Sequence, residues 1–122
     1  MKILVVDDNV DSAESLALLL SMGGHEAHVA HDGPAAVDAA AQLRPDVMLL
    51  DIGLPKMDGF EVCRRVRQEP WGQKVAIVAL TGFGQDRDRA ESESAGFDRH
   101  MVKPIDYEAL LRTLETLVLP RS

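Results

Sequence analysis

The sequence predicts an α/β fold: a five-stranded parallel sheet with helices on both faces. Two observations lead there. Short continuous apolar runs, such as Ile3-Leu4-Val5-Val6 and Val47-Met48-Leu49-Leu50, read as strands buried on both sides. Segments with apolar residues every three to four positions separate them, and strand–helix alternation over short connections implies parallel pairing with right-handed crossovers. The 122 residues fit one compact domain, so 1–122 is read as a single unit.

The first strand covers Lys2 to Val6. The helix after it carries Ala13, Leu16, Leu19 and Leu20 at helical spacing, and Gly23-Gly24 closes it, since glycine accepts left-handed backbone. Glu26 to Ala30 alternates, with Ala27 and Val29 on one side and His28 on the other, as a half-exposed edge strand does. Asp32-Gly33-Pro34 marks a turn and a helix start, proline being favoured in the first helical turn. That helix is rich in alanine, suited to close packing, and Pro45 stops it. The third strand ends at Asp51; Phe60, Val62, Cys63 and Val66 then form one helical face, broken by Pro70-Trp71-Gly72. Trp71 is read as a loop residue covering apolar surface. Val75 to Leu80 is the fourth strand, Gln85 to Ala95 a polar helix closed by Gly96, and Phe97 to Val102 a fifth strand with a polar centre. Ile105, Leu110, Leu111, Leu114, Leu117 and Val118 make the apolar stripe of a closing helix, whose polar edge offers a possible homodimer contact.

Composition narrows the function. Hydrophobic residues at 46% and charged residues at 27% are the balance of a soluble globular protein. No apolar run approaches the roughly 20 residues of a bilayer crossing. Lys2 leads straight into strand sequence, so neither a signal peptide nor membrane insertion is expected, and the expected location is cytoplasmic. Cys63 is the only cysteine, read as buried packing. A net charge of −7 supplies no basic face for phosphate backbones, so no nucleic-acid partner is expected. The densest charged stretch, Gln85 to Ser94, mixes both signs as a solvated helix face does. His25, His28 and His31 share a spacing of three, but odd spacings alternate faces in a strand, so no metal site is expected there.

The chemistry gathers at strand ends, because open parallel sheets bind ligands at their carboxyl edge. Asp7-Asp8 ends strand one, Asp51 strand three and Thr81-Gly82 strand four, and strand five leads into Lys103-Pro104. Each has a plain structural reading: acids at a helix start, a turn aspartate, a helix cap, a surface cation. Jointly they bring three carboxylates, a hydroxyl and an ammonium to one rim. Crowded carboxylates repel unless a cation joins them. A small set of oxygen ligands suits Mg²⁺, which completes its shell with water and phosphate. A carboxylate beside it is a competent nucleophile towards a phosphoryl group. Lys103 and Thr81 then suit two phosphoryl oxygens, and the N–H of Gly82 a further contact.

These residues resemble receiver domains of bacterial two-component response regulators. The resemblance spans the chain and rests on Asp7-Asp8, on Leu50-Asp51-Ile52-Gly53-Leu54-Pro55 followed by Met57-Asp58-Gly59, on Ala79-Leu80-Thr81-Gly82 and on Val102-Lys103-Pro104. It implies the flavodoxin-like strand order 2-1-3-4-5. It also implies Asp51 as phosphoacceptor, Mg²⁺ held by Asp7, Asp8, Asp51 and the backbone carbonyl of Gly53, and Thr81 and Lys103 as switch hydroxyl and phosphate-binding lysine. A cis peptide bond is implied at Lys103-Pro104. The implied donor is a phosphohistidine on a histidine kinase or phosphotransfer protein, and the output a changed surface for a downstream protein. The domain is expected to catalyse only its own phosphoryl transfer and dephosphorylation. The Asp51–Gly59 and Ala79–Gly82 stretches most resemble receivers of hybrid sensor kinases. One position departs from the pattern: His100 stands where these domains carry a Tyr or Phe switch ring. Alternatives are a small Mg²⁺-dependent phosphatase, for which the connections are too short to build a substrate pocket, a flavin-binding domain, and a receiver-like domain that takes no phosphate.

Overall fold

The computed structural model describes residues 1–54, 56–82 and 95–118. In chain order the elements are β1 (Lys2–Val6), α1 (Val10–Met22), β2 (Glu26–Ala30), α2 (Gly33–Leu43), β3 (Val47–Asp51) and α3 (Gly59–Gln68). A 3₁₀ turn (Pro70–Lys74), β4 (Ala76–Thr81), β5 (Arg99–Val102) and α4 (Tyr107–Val118) complete them. All strand pairs are parallel, in the order β2-β1-β3-β4-β5. This is the flavodoxin-like order that the resemblance implied. Most of the predicted polar helix, Gln85 to Ser94, lies outside the described residues, as do Pro55 and the side chain of Val118.

Alternation along the central strands builds two cores. Leu4, Val6, Met48, Leu50, Ile77 and Ala79 face α2 and α3. Ile3, Val5, Val47, Leu49, Val78 and Leu80 face the other way, against Ala13, Ala17 and Leu20 of α1 and Leu110, Leu114 and Leu117 of α4. Because β1, β3 and β4 are covered on both sides, each reads as an unbroken apolar run. The edge strands β2 and β5 are only partly buried, hence their polar residues. Three helices begin on an acidic or amide cap. Asn9, Asp32 and Asp58 each accept the backbone N–H three residues on, satisfying donors that the first turn leaves open.

Several details differ from the sequence reading. The inward stripe of α1 is Ala13, Ala17 and Leu20, whereas Leu16 is half-buried and Leu19 is 44% exposed. The i, i+4, i+7 stripe faces the sheet, and Leu19 falls on its flank. Gly24 rather than Gly23 takes the left-handed backbone after α1, at φ +95°. Trp71 sits in the 3₁₀ turn, half-buried against the α2–α3 core. The polar start of the fifth strand has a structural cause that the sequence reading missed. Arg67, at the end of α3, donates to the carbonyls of Gly72, Val75 and Gly96 and to the Asp98 carboxylate. Asp98 in turn accepts the N–H of Ile77 in β4. This clasp joins α3, the 3₁₀ turn and the root of β5.

No helix among the described residues is long and apolar enough to cross a membrane. Cys63 is fully buried, its Sγ 3.2 Å from the Ala95 carbonyl, and burial pushes its pKa up to about 11. Its reactive thiolate is therefore scarce at neutral pH. A thiol reagent at pH 8 is expected to leave the folded protein unmodified and to react with one thiol after denaturation. Gly72 is held close to α3, where an added Cβ would fall 1.8 Å from the Val66 carbonyl oxygen. Gly72→Ala should therefore cost about 2 kcal/mol in urea unfolding, the scale of overpacking a tight site.

Candidate functional site at the carboxyl edge of the sheet

Parallel strands end on the same side, so register decides which terminal residues become neighbours. Val6 pairs with Leu50, which places Asp7 beside Asp51. Asp51 pairs with Leu80, and Thr81 with Val102, bringing β4 and the segment after β5 alongside. Lys103 starts close to β4, its backbone N–H donating to the Thr81 carbonyl at 2.8 Å. The Lys103–Pro104 peptide bond is cis.

The lysine then turns inward. Its Nζ lies 2.9 Å from Asp7 Oδ2 and 2.8 Å from Asp51 Oδ2. Each acid has a backbone donor for its other oxygen. Asn9 N–H bonds Asp7 Oδ1 at 3.0 Å, and Gly53 N–H bonds Asp51 Oδ1 at 2.8 Å. Asp7 is 5% exposed and Asp51 8%, while Asp8 stands at the rim in solvent. Carboxylate oxygens of all three lie within 4.8 Å of one another. Oxygen donors at that spacing, two buried and one at the mouth, fit a hard divalent cation that keeps part of its water shell.

Electrostatics follow the geometry. Burial disfavours the charged form of Asp7, but the Asn9 N–H and the Lys103 ammonium outweigh it and hold its carboxyl below the ordinary value of 3.8. Burial likewise works against the Lys103 charge, and hydrogen bonds to Asp51 and Asp7 raise its pKa above the ordinary 10.5. The signs fix the pH window. A depressed carboxyl contributes stability above its unfolded pKa and loses it as pH falls; a raised ammonium contributes below its unfolded pKa and loses it as pH rises. Both contributions are present at pH 7.

The remaining expected site residues sit around this centre. Thr81 is buried at the end of β4, with its hydroxyl 3.4 Å from the Met101 carbonyl. Gly53 is exposed on the turn after Asp51. His100 lies on β5 opposite Ala79, half-buried, its ring 6.1 Å from that of Phe97. The three clustered histidines go to separate partners: His25 to the N-terminal amine, His28 to Glu26, and His31 to the backbone of Asp7. Two residues that shape the site were given no role in the sequence reading. Asn9 serves both Asp7 and the start of α1. Gly59 admits the loop after β3, since an added Cβ there would lie 2.6 Å from Ile52 Cα. An amide two residues after an acidic strand end, and the glycine in Met57-Asp58-Gly59, were the signals available. Beside the notch, a groove of about 520 Å³ runs from Asp7 and Lys103 along Leu16, Leu19 and Ile105.

A doubly wound sheet with an acidic, lysine-bridged notch at its carboxyl edge defines a flavodoxin-like domain of the receiver class. The chain belongs to the response regulator receiver domain family, which matches residues 3–115. It is 40% identical over 118 residues to the response regulator MprA of Mycobacterium avium, covering 97% of this chain and 51% of that protein. It is 34% identical over 117 residues to RpaA of Synechocystis, a DNA-binding dual master transcriptional regulator, covering 96% and 48%. The chain thus spans about half the length of these relatives. Among solved structures it resembles the chemotaxis response regulator CheY4 of Vibrio cholerae (TM-score 0.89, 32% identity, 96% and 98% covered). It also resembles the receiver domain of a Pseudomonas aeruginosa sensor histidine kinase (TM-score 0.86, 32% identity, 95% of each chain), which has a magnesium ion coordinated in its active-site cleft. The expectation of no nucleic-acid partner is not supported: a relative is a DNA-binding regulator, and the acidic charge of this stretch sets no limit on a longer protein.

Lys103→Met removes the shared cation and leaves Asp7 and Asp51 to repel. In chelator at pH 7, urea unfolding should show a loss of about 2 kcal/mol, the scale of a broken, partly buried ion pair. The deficit should shrink towards pH 4, because the stability gained by holding Asp7 ionised is lost as pH falls.

Proposed function

We propose that this domain is a phosphoryl-controlled switch whose acceptor is Asp51. The observation that carries this reading is the placement of a buried, lysine-bonded carboxylate within 4.8 Å of two others at one sheet edge. An Asp51 carboxylate oxygen attacks the phosphorus of a phosphohistidine, the P–N bond breaks, and the leaving imidazole nitrogen takes a proton. Asp7, Asp8, Asp51 and the Gly53 carbonyl are the residues that would hold Mg²⁺, which offsets negative charge on the phosphoryl oxygens when bound. The magnesium in the related kinase receiver supports that assignment.

The chain's own groups do the rest. Lys103 already reaches Asp51 Oδ2, so a small rotation brings its ammonium onto a phosphoryl oxygen. Thr81 gives up the long bond to Met101 and donates to a second oxygen. His100 occupies the switch position on the neighbouring strand and follows the vacated hydroxyl. The apolar groove beside Lys103 suits the side chains of a protein donor, a histidine kinase or phosphotransfer protein, better than a charged metabolite. We therefore read the domain as a signalling module rather than an enzyme turning over a separate substrate. Its setting would be the cytoplasm, where kinases draw on ATP, and its output a downstream protein or a second copy.

Asp51→Asn should abolish radiolabelling by a phosphohistidine donor, and a variant labelled like the parent would sink the assignment. Magnesium at ten times its dissociation constant should stabilise the parent by about 1.4 kcal/mol in thermal unfolding. Asp7→Asn and Asp8→Asn should each reduce that gain at the same concentration.

A further inference from the structure

His31 stands at the corner where β2 gives way to α2. Pairing between β1 and β2 stops at Val6 and Ala30. One further bond follows, from Asp7 N–H to the Ala30 carbonyl at 3.1 Å. The chain then turns away into α2, capped by Asp32, so the backbone ladder ends there. The Asp7 carbonyl instead meets His31 Nδ1 at 3.0 Å. A carbonyl only accepts, so Nδ1 must carry the hydrogen. The imidazole thereby adds one rung beyond the strand, and the β2 corner grips the Asp7 peptide at both its N–H and its C=O.

We propose that His31 is a positioning residue that sets how Asp7 and Asp8 meet a divalent cation. The Asp7 carboxylate has its own supports in Lys103 and Asn9. Asp8 does not. Its exposed carboxylate has no hydrogen bond to any described residue, so its approach to the cluster is dictated by the backbone that His31 holds. The platform is itself anchored. Asp32 accepts the N–H of Ala35 at 2.8 Å, and Lys56 Nζ approaches Asp32 to 3.6 Å. Met57 lies against Gly33 so closely that an added Cβ there would fall 2.4 Å from its own. Groups that orient metal ligands govern affinity because a carboxylate free to wander must be ordered at the moment of binding.

This inference rests on the reading of the notch as a Mg²⁺ site, and the test separates the two. Leucine and asparagine have nearly the same shape, but only asparagine places an N–H where Nδ1 stands. Calorimetric titration with MgCl₂ compares the parent, His31→Leu and His31→Asn, with thermal midpoints in chelator measured alongside. His31→Leu should weaken Mg²⁺ binding about tenfold, and His31→Asn should stay within about twofold of the parent. Equal affinities for the parent and the leucine variant would overturn the positioning role alone, as would an asparagine variant as weak as leucine. A parent that binds no Mg²⁺ would overturn the notch reading, and this role with it.

Discussion

Like charges drawn out of water at the end of a sheet need something to hold them, and in this domain that constraint organises the structure. Asp7 and Asp51 come from neighbouring strands and are almost wholly buried. Left alone, the two would repel. Lys103 resolves the conflict by bonding both. Its backbone continues the edge strand β5 beside Thr81 of β4, and its long side chain reaches back across β4 to the acids at the ends of β1 and β3. The balance is incomplete, since three carboxylates face one ammonium. That residual negative charge suits the site to a further cation.

Other features serve the same notch. The start of α1 lies next to the acid pair, where the positive end of the helix dipole favours negative charge. Asn9 links the two, its backbone on Asp7 and its side chain on the first turn. Gly59 and Gly33 clear space so that the loop after β3 can lie close to both the site and the β2 corner.

How much of this the residues disclosed depends on whether a feature is periodic or geometric. Strands covered on both faces are unbroken apolar runs, so β1, β3 and β4 stood out from composition alone. The strand ends picked out the carboxyl-edge residues and the resemblance added their roles; Asp7, Asp51 and Lys103 do meet there. What stayed hidden was contact between distant parts of the chain. No pattern singles out Arg67, which the carbonyls of Gly72, Val75 and Gly96 surround. His31 looked like one of three strand histidines, because no pattern shows that a ladder stops one rung early. Spacing alone does not say which of the adjacent Leu19 and Leu20 faces the sheet, and Leu20 does.

The clasp around Arg67 has a mechanical consequence. It fixes the root of β5 to α3 through Arg67's bonds to Gly96 and Asp98, and to β4 through the Ile77 N–H to Asp98. The other end of the strand leads directly into Lys103. An edge strand has a neighbour on one side only, so β5 behaves as a cantilever: clamped at its base, supported along β4, and loaded at its tip. A tug on the ammonium would displace such a beam most at its free end, beside Met101 and the half-exposed Val102.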